Sequence, residues 1–123
     1  MLDVLVVMLA GACGAFSRWS ATVALTRWFP NSPHPTMIVN LIGCFLFGVL
    51  FAALNRYIEG SSTIKLLFLT GFLGAFTTFS TFIFDSVHLI EQQRYWAAAS
   101  NILVQNLAGM ATLAIGLCIG HRL

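Results

Sequence analysis

Apolar positions run along this chain in four long blocks, separated by short clusters of polar and turn-forming residues. The blocks cover about residues 4–28, 36–55, 65–90 and 95–120, and each can cross a hydrocarbon layer about 30 Å thick at about 1.5 Å per residue. The first carries Arg18 deep inside it, and between Met37 and Leu54 of the second Asn40 is the only strongly polar side chain. The third is uncharged from Leu66 to Phe84, and the fourth has no charge at all. Phe29–Pro35 holds Pro30, Pro33 and Pro35, which predicts a loop because proline cannot continue a helix. Asn55–Lys65 reads as a short polar connection through Gly60, Ser61 and Ser62. Glu91–Arg94 reads as an interfacial turn, with Tyr95 and Trp96 as anchors. The pattern predicts an all-α membrane protein: one domain, residues 1–123, of four transmembrane helices. It leaves no room for a domain outside the bilayer.

Composition agrees with that pattern. The 123 residues are 59% hydrophobic and only 8% charged, with a mean hydropathy of +0.88, which excludes a soluble domain of ordinary make-up. The net charge of +2 is scattered, so no basic patch points to nucleic acid. Met1-Leu2-Asp3 is not a positive leader, so the first block is expected to be a retained span rather than a cleaved signal. Cys13, Cys44 and Cys118 lie in different blocks without C-x-x-C or histidine pairing, and read as small packing residues. Four helices make a thin bundle that can hardly enclose a polar path and also cover it from lipid, so the chain is expected to oligomerise. Gly11 and Gly14, Gly43 and Gly48, and Gly116-x-x-x-Gly120 allow close helix approach, within one subunit or between two.

The chemistry concentrates in Thr70–Phe82, which reads T-G-F-L-G-A-F-T-T-F-S-T-F. On an ideal helix Phe68, Phe72, Phe76, Phe79 and Phe82 share one face, and Thr70, Thr77 and Thr81 the opposite one. Hydroxyls in hydrocarbon need partners, and Gly71 and Gly74 loosen the helix between them. Phenyl edges are positive and hydroxyls donate, and no acidic residue occurs in the third block before Asp85, so the helix suits an anion better than a cation. Arg18 either snorkels to the far interface or stands as a cation at a pore mouth. Asn40 either joins two helices or offers its NH₂ to a passing anion. Asn101, Gln105 and Thr112, with Asn106 beside them, form a weaker polar stripe in the fourth block. Asp85 and His88 stand one turn apart and are candidates for a local pair.

The run Gly71–Phe82 closely resembles the signature of the Fluc (CrcB) fluoride channels, and the likeness extends over the whole chain: its length, four spans, an early Arg18 and Asn40. The resemblance implies an antiparallel, dual-topology homodimer in a bacterial-type inner (cell) membrane, multi-pass among lipid. Such a dimer passively exports fluoride through two pores, with a structural sodium ion (Na+) at its centre. It implies a third helix broken near Gly74–Thr78, with sodium on the backbone carbonyls of Gly74 and Thr77. It also implies Phe79 and Phe82 as pore phenylalanines, Ser80 and Thr81 as hydroxyl donors, Asn40 as the pore amide and Arg18 at the vestibule. Ile83 stands where the family often has serine, and Asp85 where it has glutamate. Ile102 and Met110 replace polar residues of the pore exit, leaving that path open.

Two other classes are weighed against this one. A small multidrug exporter also has four spans, but needs a buried carboxylate in the first, and Val4–Trp28 has none. A non-transporting membrane assembly subunit accounts for the hydrophobicity and predicts no ion flux. No nucleophile–base pair or metal cluster suggests an enzyme.

Overall fold

A computed structural model describes residues 1–57 and 62–123. Among them every regular element is helical, and four helices are long and apolar enough to cross a membrane. Helix α1 covers Leu2–Thr26 and α2 covers His34–Tyr57. The third span is assembled from α3 (Ser62–Lys65), a π-helical stretch Leu66–Leu73, α4 (Gly74–Phe76) and α5 (Phe79–Glu91). Helix α6, Tyr95–Gly120, closes the chain.

Two boundaries differ from the sequence reading. The proline loop ends sooner, because α2 starts at His34 and takes Pro35 into its first turn. A first-turn N–H has no helical partner, so proline loses nothing there and its fixed φ favours the helix. The Asn55–Lys65 connection is shorter than its polarity suggests, since α2 continues to Tyr57 and helix resumes at Ser62. Gly60 and Ser61 lie outside the described residues. The turn at Glu91–Arg94 is present, with Gln93 at φ 60.

Backbone contact, more than side-chain bulk, joins the helices. A Cβ on Gly48 would collide with the Leu113 carbonyl, and one on Gly116 with the Phe45 carbonyl. A Cβ on Gly120 would sit 2.5 Å from Val49 O. These glycines therefore seat α2 and α6 against each other within one chain, where dispersion rather than water exclusion holds membrane helices together. Gly14 similarly lets α1 reach the Phe72 carbonyl of the π-helical stretch. Val39, Leu73 and Phe76 form the buried apolar centre.

The ends of the bundle are tied by polar contacts. Thr63 Oγ1 donates to Asp3 Oδ1 at 3.1 Å, and Arg56 Nη1 donates to His121 O at 2.7 Å. Both termini and the α2–α3 connection thus share one end, with Arg56, Lys65 and Arg122; the loops carrying Arg27 and Arg94 lie at the other. Outer positions such as Trp19, Phe51 and Leu107 are exposed and apolar, as a lipid surface requires.

The glycine contacts give a contrast that can be measured. Gly116→Ala should lower the unfolding temperature in detergent, because the added methyl meets the α2 backbone. Gly109→Ala should be nearly neutral, its Cβ meeting only Cys44 Sγ at 3.7 Å. Equal melting temperatures for the two variants would show that the close approach is dispensable.

Candidate functional site

The third span stops being helical at two threonines. Thr77 (φ −85, ψ 158) and Thr78 (φ −147, ψ 118) are both extended between α4 and α5. Their β-branched side chains favour that conformation, and Thr78 gains a further reason as the N-cap of α5. Its Oγ1 accepts the Thr81 N–H at 3.3 Å. An extended peptide at mid-span has lost its helical partners, and hydrocarbon offers none. Asn40 on α2 supplies both: the Thr78 N–H donates to Asn40 Oδ1 at 2.9 Å, and Asn40 Nδ2 donates to Thr78 O at 3.0 Å. Gly43, one turn further, leaves the space that the Thr77 methyl fills. Asn40 and Gly43 together form the receptor for the interruption.

A directional chain of hydrogen bonds leaves Asn40. Its Nδ2 also donates to Gln105 Oε1 at 3.0 Å, and Gln105 Nε2 donates to Asn101 Oδ1 at 3.0 Å. Asn101 Nδ2 donates to Ser86 Oγ at 2.9 Å, and Ser86 Oγ donates to Phe82 O at 2.8 Å. The Thr78 peptide fixes how Asn40 is turned, because its N–H must meet an oxygen and its carbonyl an N–H. Asn40 meets Gln105 with its second N–H, and the later amides follow in the same sense. Asn101, Gln105 and Ser86 are buried. Sequence reasoning singles out Asn101 and Gln105 but gives no role to Ser86 or to the Thr78 peptide. The i, i+4 spacing of the two amides is the available signal, but their partners on α2 and α5 lie far away in sequence.

The remaining candidates surround this junction unevenly. A cavity of about 350 Å³ is lined by Asn40, Thr77, Thr78, Phe79, Phe82 and Gln105, among others, and by no carboxylate. Phe79 and Phe82 tilt together at 5.7 Å, while Phe72 and Phe76 stack separately at 5.9 Å. The single phenyl face of an ideal helix is therefore split in two, because the π-helical stretch and the extended threonines both rotate the residues beyond them. Phe82 is 6% exposed and Phe79 73%. Ser80 and Thr81 are exposed, with their hydroxyls 3.4 and 3.0 Å from Thr78 Oγ1. Gly74 is exposed as well. Arg18 neither reaches an interface nor lies in the cavity lining; its Nη1 stands 3.5 Å from Thr77 O. His88 turns to Glu91 and Gln92, at 3.4 and 2.9 Å, whereas Asp85 Oδ2 is buried without a partner. Met110 lines a further cavity beside Gln105 and Asn106.

A pocket with amides, hydroxyls and phenyl rings and without a carboxylate can receive a small anion. The sequence model of the family described as CrcB-like protein, Camphor Resistance (CrcB), matches residues 5–117. The chain belongs to the CrcB-like family. It is similar to the "Fluoride-specific ion channel FluC" of Solidesulfovibrio magneticus, 41% identical over 116 residues, covering 94% of this chain and 93% of the relative. The protein of that name from Salinibacter ruber is 39% identical over 118 residues (94% and 87% covered). That from Hydrogenobaculum sp. is 36% identical over 122 residues (99% and 100% covered). These CrcB-like relatives are ion channels and not enzymes.

Within this CrcB-like chain the Asn40–Thr78 pairing invites a direct test. Asn40→Ala strands the Thr78 N–H, the Thr78 carbonyl and Gln105 Oε1, each at a cost of about 1–3 kcal/mol where no water reaches. Its unfolding temperature should fall well below that of Gln105→Ala, which leaves the Thr78 peptide paired. If the two variants melt together, the amide–peptide pairing is not what holds the interruption.

Proposed function

We propose that this chain is the subunit of a channel that lets fluoride leave the cell passively; its relatives' names support a fluoride-specific ion channel. The supporting observation is the carboxylate-free cavity of phenyl rings, with the Gln105 and Asn106 amides in its wall, at the interruption of a membrane span. Fluoride holds its water tightly, so a path must replace hydration with dense donors while avoiding a fixed charge that traps the ion. Phe79 and Phe82 offer ring edges, Ser80 and Thr81 offer hydroxyls, and Asn40 anchors the donor chain. Arg18 adds positive potential beside the interruption, where its Nη1 stands 3.5 Å from Thr77 O, without lining the cavity.

The assembly we propose is an antiparallel homodimer with two pores. One copy leaves Ser80, Thr81 and Gly74 exposed at mid-span, and hydrocarbon does not accept such groups unpaired. A second copy would cover them. Arg56, Lys65 and Arg122 at one end nearly balance Arg27 and Arg94 at the other, which favours insertion in both orientations.

The same exposed face fits a sodium ion. In an unbroken helix the Gly74 carbonyl would accept the Thr78 N–H, which here goes to Asn40. The Thr77 carbonyl would accept the Thr81 N–H, which goes to Thr78 Oγ1. Both are hard neutral oxygens released from helix pairing, the ligand type with which membrane proteins hold sodium; Thr77 O also has Arg18 Nη1 at 3.5 Å, so a sodium ion there would use its second lone pair. Two such carbonyls per chain become four in the dimer. A sodium ion bound there would supply a fixed central charge that offsets the broken hydrogen bonding.

Fluoride efflux from liposomes, run beside chloride, tests the channel. Fluoride should leave and chloride should stay. Phe79→Ile should reduce fluoride efflux roughly tenfold or more with an unchanged melting temperature, because Phe79 is 73% exposed and outside the packed centre. No fluoride efflux from the unmodified protein would refute the channel.

Gly74→Ala tests the shared centre. Within one chain the new Cβ would meet only Leu69 O at 3.6 Å, so the subunit should fold. Dimer content by crosslinking and sodium-dependent efflux should both fall, since a methyl there crowds only a second copy or an ion. A dimer and efflux indistinguishable from the unmodified protein would rule out a shared carbonyl site.

A further inference from the structure

Two cavities open at the end of the bundle that carries the α1–α2 and α5–α6 loops. They meet at Ser32 and Pro33 but differ in charge. The larger, about 320 Å³, is lined by Asp85, His88, Asn31 and Gln92. Asp85 places a carboxylate there, with Oδ2 buried and unpaired, which repels an anion. The smaller, about 150 Å³, has His34, Arg94 and Ser100 in its wall, with the buried Asn101 beside them and no acidic side chain. Among the described residues the one ion pair is His88–Glu91, and no carboxylate there pairs with Arg94.

Asn101 links this cavity to the buried relay. It is 4% exposed, and its amide nitrogen carries two hydrogens. One is donated to Ser86 Oγ. The Oδ1 accepts from Gln105, and Asn101 retains a second N–H as a donor. This donor sense continues the chain that starts at the Thr78 peptide. Gln105, one turn deeper, likewise spends one N–H on Asn101 and keeps a second beside the cavity of Phe79 and Phe82. From Arg94 along α6, a cation and two amide donors succeed one another towards the phenyl pair, with about 6 Å between the amides; the Ser100 hydroxyl is already donated to Ala97 O.

We propose that the cavity of Arg94, His34 and Ser100, floored by Asn101, captures a small hydrated anion at the channel's outer mouth on this side, and that Asn101 and Gln105 pass it to the Phe79–Phe82 cavity. The assignment rests on the channel reading above. The donors lie on the buried face of α6, whereas Ile102 on the same helix is 39% exposed.

The test compares each protein with itself at two ionic strengths, using an impermeant potassium salt, so that a misfolded fraction cancels. In the unmodified protein, fluoride efflux should be faster at low salt, where the field of Arg94 is unscreened. Arg94→Glu should lower the low-salt to high-salt ratio roughly threefold or more, and Arg94→Lys should restore it. Asn101→Asp keeps the size of the side chain but replaces its N–H donors with an acceptor, and should cut efflux at both salts. An unchanged ratio in Arg94→Glu overturns the capture site, and unchanged efflux in Asn101→Asp overturns the hand-over. If Asn101→Asp fails to insert, the salt ratio of the Arg94 variants decides alone. Absence of fluoride efflux from the unmodified protein would overturn the channel reading itself, and the mouth with it.

Discussion

An extended peptide cannot stand in hydrocarbon without partners, and the organisation of this protein stems from how one side-chain amide answers that constraint. Asn40 gives Thr78 both an acceptor and a donor. A helix could not offer this at the same position, because its own N–H and C=O groups are already engaged. Once that exchange is made, the third span can change direction and α5 can begin with its own cap. The carbonyls of Gly74 and Thr77 are then free of the partners that a continuous helix would give them. The close contact of α2 with α6 through Gly48 and Gly116 brings Gln105 within reach of Asn40. Packing and polar satisfaction are therefore one problem here: without the glycines the relay would not meet, and without the relay the interruption would not be tolerated.

The spans were legible because lipid acts as a solvent on every outward residue, so hydropathy alone places four helices. The chemistry of the third span was legible too, from hydroxyls, glycines and phenylalanines crowded into one stretch. Its geometry was not. An ideal wheel puts Phe68 to Phe82 on one face, whereas the π-helical stretch and the two extended threonines separate Phe72–Phe76 from Phe79–Phe82. A wheel assumes a constant turn per residue, and this span violates it twice. Asn40 stands out in the sequence for either of two reasons, and its partner could not be known, since Thr78 contributes only backbone. Pro35 misleads in the opposite sense, because a breaker inside a helix is harmless in its first turn.

A single chain is also incomplete in a definite way. Its apolar outer surface is suited to lipid, yet the exposed face around Gly74, Ser80 and Thr81 is not. The mismatch is local and sits at the depth where water is scarcest. Whatever covers that face must match polar groups with polar groups, a stricter requirement than apolar complementarity between membrane helices.

The relay from Asn40 to Phe82 has one more property. It is a continuous line of hydrogen bonds reaching from the middle of a membrane span towards one end, and such lines often conduct protons. This one is poorly made for that. Proton hopping needs groups that can accept a proton and release another, and amide nitrogens do neither at physiological pH. Ser86 is the relay's only hydroxyl, and it is isolated at the far end. A row of amides can therefore present donors to an anion while leaving the cell's proton gradient intact. Histidines or carboxylates along the relay could take up and release protons and so short-circuit the membrane that the protein spans.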